Sequence, residues 1–322
     1  YFQSISKVPL MIALDAEFGL AMRLDSTFRF PWQMTLGATS DTNLIFQMGA
    51  EIARQCKLIG VNINFAPVVD VNSNPKNPII NNRSFGEDPF MVGNLGASMI
   101  NGFQLNDFTG TNKVIACAKH MLAGSEPING LNAAPMDISL RTLKEVYLPP
   151  YKKAIDAGVY SIMAAHNELN GIPCHMSSWL MTDLFRNDWG FEGFYVSDWM
   201  DIERIETLHR VAKNLKEASF LAVNAGMDMH MHGVDFPEAV IELVKEGQLP
   251  ISRVDEACSK ILMAKFKLGI FENRFVDIEK IQDKIFTSEH RITALETIRK
   301  GIVVLKNSNL RPLNKTKESI HV

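Results

Sequence analysis

Six apolar runs of strand-like composition recur along this chain, and most end on a polar residue capable of chemistry. They are "VPLMIALD" (8–15), "VNINFAPVVD" (61–70), "VIACAKH" (114–120), "YSIMAAHN" (160–167), "GFYVSD" (193–198) and "NAGMDMHM" (224–231). Between them lie amphipathic helical stretches such as "DTNLIFQMGAEIARQCKLIG" (41–60) and "RTLKEVYLPPYKKAIDAG" (141–158). In the second, Pro149 and Pro150 predict a helix that breaks or begins there. Continuous apolar strands separated by helices imply a parallel sheet covered on both faces. The expected fold is therefore α/β, a TIM-like (β/α)8 barrel. Six runs are fewer than eight strands, so the barrel is expected to be irregular or to lack its first element in this chain.

In such barrels the C-terminal strand ends face the active site. Asp15 ends the first run, Asp70 the second, Lys119 and His120 the third, His166 and Asn167 the fourth, Asp198 and Trp199 the fifth. Taken singly, each is a turn or cap residue. Together they converge on one rim and predict a site. Carboxylates, cations, neutral donors and an indole suit a sugar. Hydroxyls need paired donors and acceptors, and the indole covers an apolar ring face. The loop "NNRSFGEDP" (81–89) adds Arg83, Glu87 and Asp88, with Gly86 allowing a tight turn. "HMHG" (230–233) sets two histidines two residues apart, but no third ligand accompanies them, so neither zinc nor another metal or cofactor is expected.

The 322 residues are 46% hydrophobic and 21% charged, enough apolar material for a large core. A net charge of -3 and a pI near 6.3 give no electrostatic reason to expect nucleic acid or an anionic membrane as partner. No run is long enough to span a bilayer and no signal peptide is visible. Cys56, Cys117, Cys174 and Cys258 form no pair or metal spacing and are expected as free thiols in or near the core. "YFQS" (1–4) reads as the remnant of a cleavable tag. Residues 5–304 read as the barrel domain, within which "SRVDEACSKILMAKFKLGIF" (252–271) predicts a helix with Ser252 as N-cap and Gly269 near its end. A further helix is expected over roughly 288–304, and residues 305–322 read as a polar linker leading to an absent second domain.

The combination of "SDW" after "GF", "KH" at 119–120, "NRSFGEDP" and "LMTDLFRNDWGFEGF" resembles glycoside hydrolase family 3 over nearly the whole chain. The resemblance implies a retaining, exo-acting β-glycosidase of β-glucosidase type acting on a small-molecule or oligosaccharide substrate. It makes Asp198 the nucleophile and Asp15, Arg83, Lys119 and His120 sugar-binding residues. Trp199 becomes the aromatic residue flanking the nucleophile. His166 stands where family β-glucosidases often carry Tyr, which leaves its contact with the nucleophile unassigned. A periplasmic or secreted location is favoured by the resemblance alone. Residues 8 to about 104 resemble the N-acetylglucosaminidase branch and those from about 112 onward the β-glucosidase branch. The chain reads as a hybrid of the two or as an intermediate between them.

A retaining glycosidase needs two carboxyl groups about 5–5.5 Å apart. The resemblance supplies the second from an Asp/His pair on the loop after "KH", or from a Glu of a following domain. Here that loop, "MLAGSEPINGLNAAP", offers only Glu126, with Glu87 the next candidate. A second domain or chain is therefore expected to supply the acid/base. Three classes remain open: an active β-glycosidase completed from outside, a sugar-binding barrel with little turnover, and an unrelated barrel lyase using Lys119 as a Schiff base.

Overall fold

The structure is a computed structural model that describes residues 1–105 and 113–307 of the chain. Its strands are short: β1 Ala13–Leu14, β2 Ile63–Asn64, β3 Ile115–Met121 and β4 Ser161–Ala164, then the hairpin pair β5 Glu168–Leu169 and β6 Ile172–Pro173, and last β7 Phe194–Val196. Five of them form one parallel sheet in the order β1-β2-β3-β4-β7. Neighbours in sequence are thus neighbours in space, as helical crossovers of one hand require. The sheet curls into a half-barrel, an incomplete form of the expected α/β barrel. Beyond β7 it continues only as a single parallel bridge between Val196 and Met229. The sixth run is therefore not a full strand. Its first residues close the helix Leu215–Ala225, and Gly226, at φ +121°, turns the chain out of it.

Alternation along the strands sorts the core into two layers. Ala116, Ala118, Ile162 and Tyr195 point outward into the main cluster with Ile45, Met48, Ile52, Val92, Met99 and Phe103 of the surrounding helices. Ile115, Cys117, Met163, Phe194 and Val196 point inward and meet Ala264, Leu268 and Ile270. The helix Ile251–Lys267 and the residues after it thus fill the interior of the half-barrel. Lys265 donates to the Pro9 carbonyl at 2.9 Å and Arg274 to the Ser6 carbonyl at 2.9 Å, tying this region to the lead-in of β1.

Two of the long helices begin on acidic caps. Asp41 accepts from the Leu44 N–H at 3.0 Å and starts Thr42–Leu58. Asp88 accepts from the Met91 N–H at 2.7 Å and starts Pro89–Gln104, so this acidic residue of the 81–89 loop is a cap. These two helices touch at Gly49 and Gly102, where a Cβ on Gly102 would lie 2.4 Å from the Phe46 carbonyl oxygen. Pro149 and Pro150 fall in the first turn of Leu148–Asp156, which follows directly on the π-helical turn Leu143–Tyr147.

Three expectations need correction. Ser252 lies inside the helix Ile251–Lys267, whose preceding residue is Pro250; Gly269, at φ +65°, does follow its end. The last helix is Ser288–Gly301, shorter than expected, with the Thr287 N–H donating to His290 Nδ1 at 3.3 Å across its start. Cys56, Cys117 and Cys174 are buried free thiols, but Cys258 is exposed, because its helix has an outward face. The Phe2–Ile5 turn belongs to the stretch read as a tag remnant, and its Gln3 side chain exchanges hydrogen bonds with the Leu10 backbone at 2.7 and 2.9 Å. Most of the 305–322 linker lies outside the described residues. No helix among the described residues is long and apolar enough to cross a membrane.

Candidate active site

A cavity of about 520 Å³ opens at the C-terminal ends of the parallel strands, and Asp15, Arg83, Lys119, His120, His166, Asp198 and Trp199 all line it. They come from the ends of four strands and the 81–89 loop, so the sheet itself gathers residues that lie far apart in the sequence. Asn167 also lines the cavity, whereas Asp70 sits behind His120.

One wall is a charge cluster. The Lys119 ammonium lies 2.9 Å from Asp15 Oδ1 and 2.9 Å from Glu17 Oε1. Arg83 grips Glu17 with both arms, Nε to Oε2 at 3.0 Å and Nη2 to Oε1 at 2.7 Å. Arg23 donates to Asp15 Oδ2 at 2.7 Å. Burial alone would lower the Lys119 ammonium, but Glu17 and Asp15 outweigh it and hold its pKa above the ordinary lysine value. Burial alone would raise Glu17, but Lys119 and Arg83 pull it well below the usual carboxylate range. Asp15 is likewise lowered against its burial by Lys119 and Arg23. Lys119 thus stays charged, the opposite of what a Schiff-base lysine needs. Glu17 escaped the sequence reading. Its signal was its place two residues after Asp15 in "LDAEFG", on the same face of an extended segment.

His120 is held from both sides. Its backbone N–H donates to Asp70 Oδ2 at 3.1 Å, its Nδ1 lies 2.8 Å from the same oxygen, and its Nε2 lies 3.3 Å from Arg83 Nη2. With Nδ1 donating to the carboxylate, Nε2 is left as the acceptor for the guanidinium.

The opposite wall carries Asp198. Its Oδ1 accepts from the Trp199 N–H at 2.6 Å, and its Oδ2 lies 3.2 Å from His166 Nε2. His166 Nδ1 lies 2.7 Å from Asp201 Oδ2, so the ring bridges two carboxylates. Burial lowers the His166 pKa, but Asp201 and Asp198 outweigh it and raise the imidazolium above its ordinary value. The contact that the resemblance left unassigned is therefore present, made by an imidazole. His175 plays a different part: its Nε2 accepts from the Asp198 backbone N–H at 3.0 Å, and burial holds it below the ordinary histidine value, in the neutral form that accepting requires. His166, Asp198 and Asp201 bring ligand atoms within 4.8 Å of one another, a spacing a cation can use. The Arg204 guanidinium already supplies positive charge there, 2.8 Å from Asp201 Oδ1. His175, Asp201 and Arg204 were also missed from sequence, because their roles depend on the packing of "PCH" and a helix start against β7.

Among the described residues that line the cavity, the carboxylates are Asp15 and Asp198. Asp15 is engaged by two cations. Glu126 faces away, accepting from the Ser73 hydroxyl, which in turn lies 2.8 Å from the Tyr147 hydroxyl. Glu87 is exposed on the 81–89 loop, and neither glutamate lines the cavity.

The chain matches the glycosyl hydrolase family 3 N terminal domain over residues 2–264, and it belongs to that family. A beta-xylosidase of Formosa agariphila is 37% identical over 96% of this chain and 45% of its own length. A lysosomal beta glucosidase of Dictyostelium discoideum is 33% identical over 97% of this chain and 39% of its own length. Among solved structures, a β-glucosidase from Listeria innocua in complex with glucose superposes with a TM-score of 0.89 at 31% identity, covering 97% of this chain and 43% of that one. The chain spans less than half the length of these relatives. Each alignment runs through both of the halves that the sequence assigns to different branches.

Proposed function

We propose that this chain is the nucleophile-bearing barrel of a retaining, exo-acting β-glycosidase of β-glucosidase type. The observation that carries the reading is the placement of Asp198. Its two oxygens are held by the Trp199 N–H and by His166, and it faces a cavity whose other wall offers Asp15, Lys119, His120 and Arg83 to sugar hydroxyls. Charge-assisted hydrogen bonds of that kind contribute about 1.5–3 kcal/mol each. Asp198 attacks the anomeric carbon as the bond to the leaving oxygen breaks, giving a glycosyl ester; water then attacks the same carbon and frees the carboxylate. His166, whose imidazolium Asp201 and Asp198 favour, holds Asp198 in orientation through the 3.2 Å contact to its Oδ2. A 2-fluoro glucoside with a good leaving group traps the ester, and mass spectrometry is expected to find the label on Asp198. Label on another residue would sink the assignment.

The acid/base is proposed to come from outside the described cavity wall, from another domain or chain. The support is that Asp15 is bound to Lys119 and Arg23, while Glu126 and Glu87 lie off the cavity. General acid catalysis contributes about 10²–10⁴-fold, most where the leaving group is poor. Dinitrophenyl β-glucoside, which departs unaided, is expected to be cleaved by this chain far faster than cellobiose. Azide, needing no general base, is expected to speed turnover when ester breakdown is limiting. Rapid cellobiose hydrolysis without an azide effect would show an acid/base within the chain, and Glu126 would be the first residue to replace.

A further inference from the structure

The "HMHG" stretch has no part in the reading above. His230 is committed to structure: its Nε2 lies 3.2 Å from Glu203 Oε2, and its ring stacks on Phe236 with centroids 4.5 Å apart. His232 instead lies flat on Trp199, centroids 3.9 Å apart and planes within 9°. Strand register produces the pairing. Met229 bridges Val196, the Ser197 N–H donates to the Met229 carbonyl at 2.9 Å, and the Met231 N–H donates to Ser197 Oγ at 2.9 Å. Three residues beyond each bridge partner come His232 and Trp199.

We infer that His232 is a positioning residue that holds the Trp199 indole as a platform for the ring on the leaving-group side of Asp198. This rests on the glycosidase reading. Trp199 is 52% exposed, and an indole so placed without backing is free to turn. With His232 on one face, only the other face is left for a ligand, and flat apolar sugar faces suit it. Trp199 is the only Phe, Tyr or Trp among the described residues lining the cavity, while the polar groups that suit a bound glycone sit on the opposite wall. The Trp199 N–H also donates to Asp198 Oδ1 at 2.6 Å, so the platform and the nucleophile share one peptide unit. The ligand class implied is a β-glycoside whose leaving group is itself a ring, a sugar or an aryl.

The test compares His232→Ala and His232→Phe with the parent chain by calorimetry, using glucose and thiocellobiose, whose sulfur link resists hydrolysis. His232→Ala is expected to weaken thiocellobiose by about tenfold, the scale of a lost aromatic pair, and to leave glucose unchanged. His232→Phe, which restores the stack without the imidazole, is expected to recover parent affinity. Equal weakening of both sugars, no weakening, or failure of Phe to restore binding would each overturn the platform while leaving the glycosidase reading in place. If the parent bound neither sugar, the glycosidase reading itself would fall, and the platform with it.

Discussion

Replacing Asp198 by Asn is expected to remove hydrolysis of dinitrophenyl β-glucoside while leaving the fold and sugar binding in place. The amide has nearly the same size, and its oxygen still accepts the Trp199 N–H that Asp198 Oδ1 accepts at 2.6 Å. It is a poor nucleophile, and loss of a covalent nucleophile costs on the order of 10⁴-fold or more in turnover. A second readout follows from charge. Asp198 helps to raise the His166 pKa, so in the variant the imidazole titration should move down, toward its ordinary value. Circular dichroism checks the fold, and NMR of the imidazole follows the shift. Parent-like hydrolysis would place the nucleophile elsewhere.

Glu17→Gln is expected to be among the most destabilising single changes at the site. Glu17 lies against both Lys119 and Arg83, and its side chain is 1% exposed. The amide leaves Lys119 with Asp15 alone and Arg83 with only the longer-range pull of Asp70 and Asp15, and breaking a buried ion pair from one side costs about 3–5 kcal/mol. The sign of the pH dependence is set by the depressed Glu17 pKa. Its contribution is fully present above the unfolded carboxylate value and is lost as pH falls from there toward the folded one. Denaturant unfolding should therefore show a large gap between parent and variant at neutral pH that narrows in acid. A gap that stays constant down to pH 3 would mean that Glu17 contributes by packing alone.

Much of this site was legible because a parallel barrel makes strand ends readable. Asp15, Lys119, His120, His166 and Asp198 each follow an apolar run, and the structure brings all five to one cavity. What escaped notice follows from contacts that no local pattern encodes. Glu17 draws its importance from Lys119 and Arg83, both far away in the sequence. His175 reaches the Asp198 N–H from a turn after the β5–β6 hairpin. The sixth run yields only the bridge between Val196 and Met229, because its first residues close a helix and Gly226 turns the chain before any pairing can begin. Ser252 has the chemistry of a cap, but the helix starts one residue earlier, after Pro250, whose fixed backbone sets the entry without a capping side chain.

The interior of the half-barrel carries a consequence for how the chain comes together. Ile63, Ile115, Phe194 and Val196 are covered by Ala264, Leu268 and Ile270, and β1 is approached by Lys265 through Pro9. During synthesis the strands leave the ribosome first and the helix that fills them last. Until roughly the first 270 residues have emerged, the inner faces of these strands have only one another and near neighbours such as Met229 and Met231, without the cover of Ala264, Leu268 and Ile270. Closing so long a loop adds little free energy, since the cost grows only with the logarithm of its length. It adds time instead, and a nascent chain halted before this helix would present an apolar trough for a chaperone or for another unfinished copy.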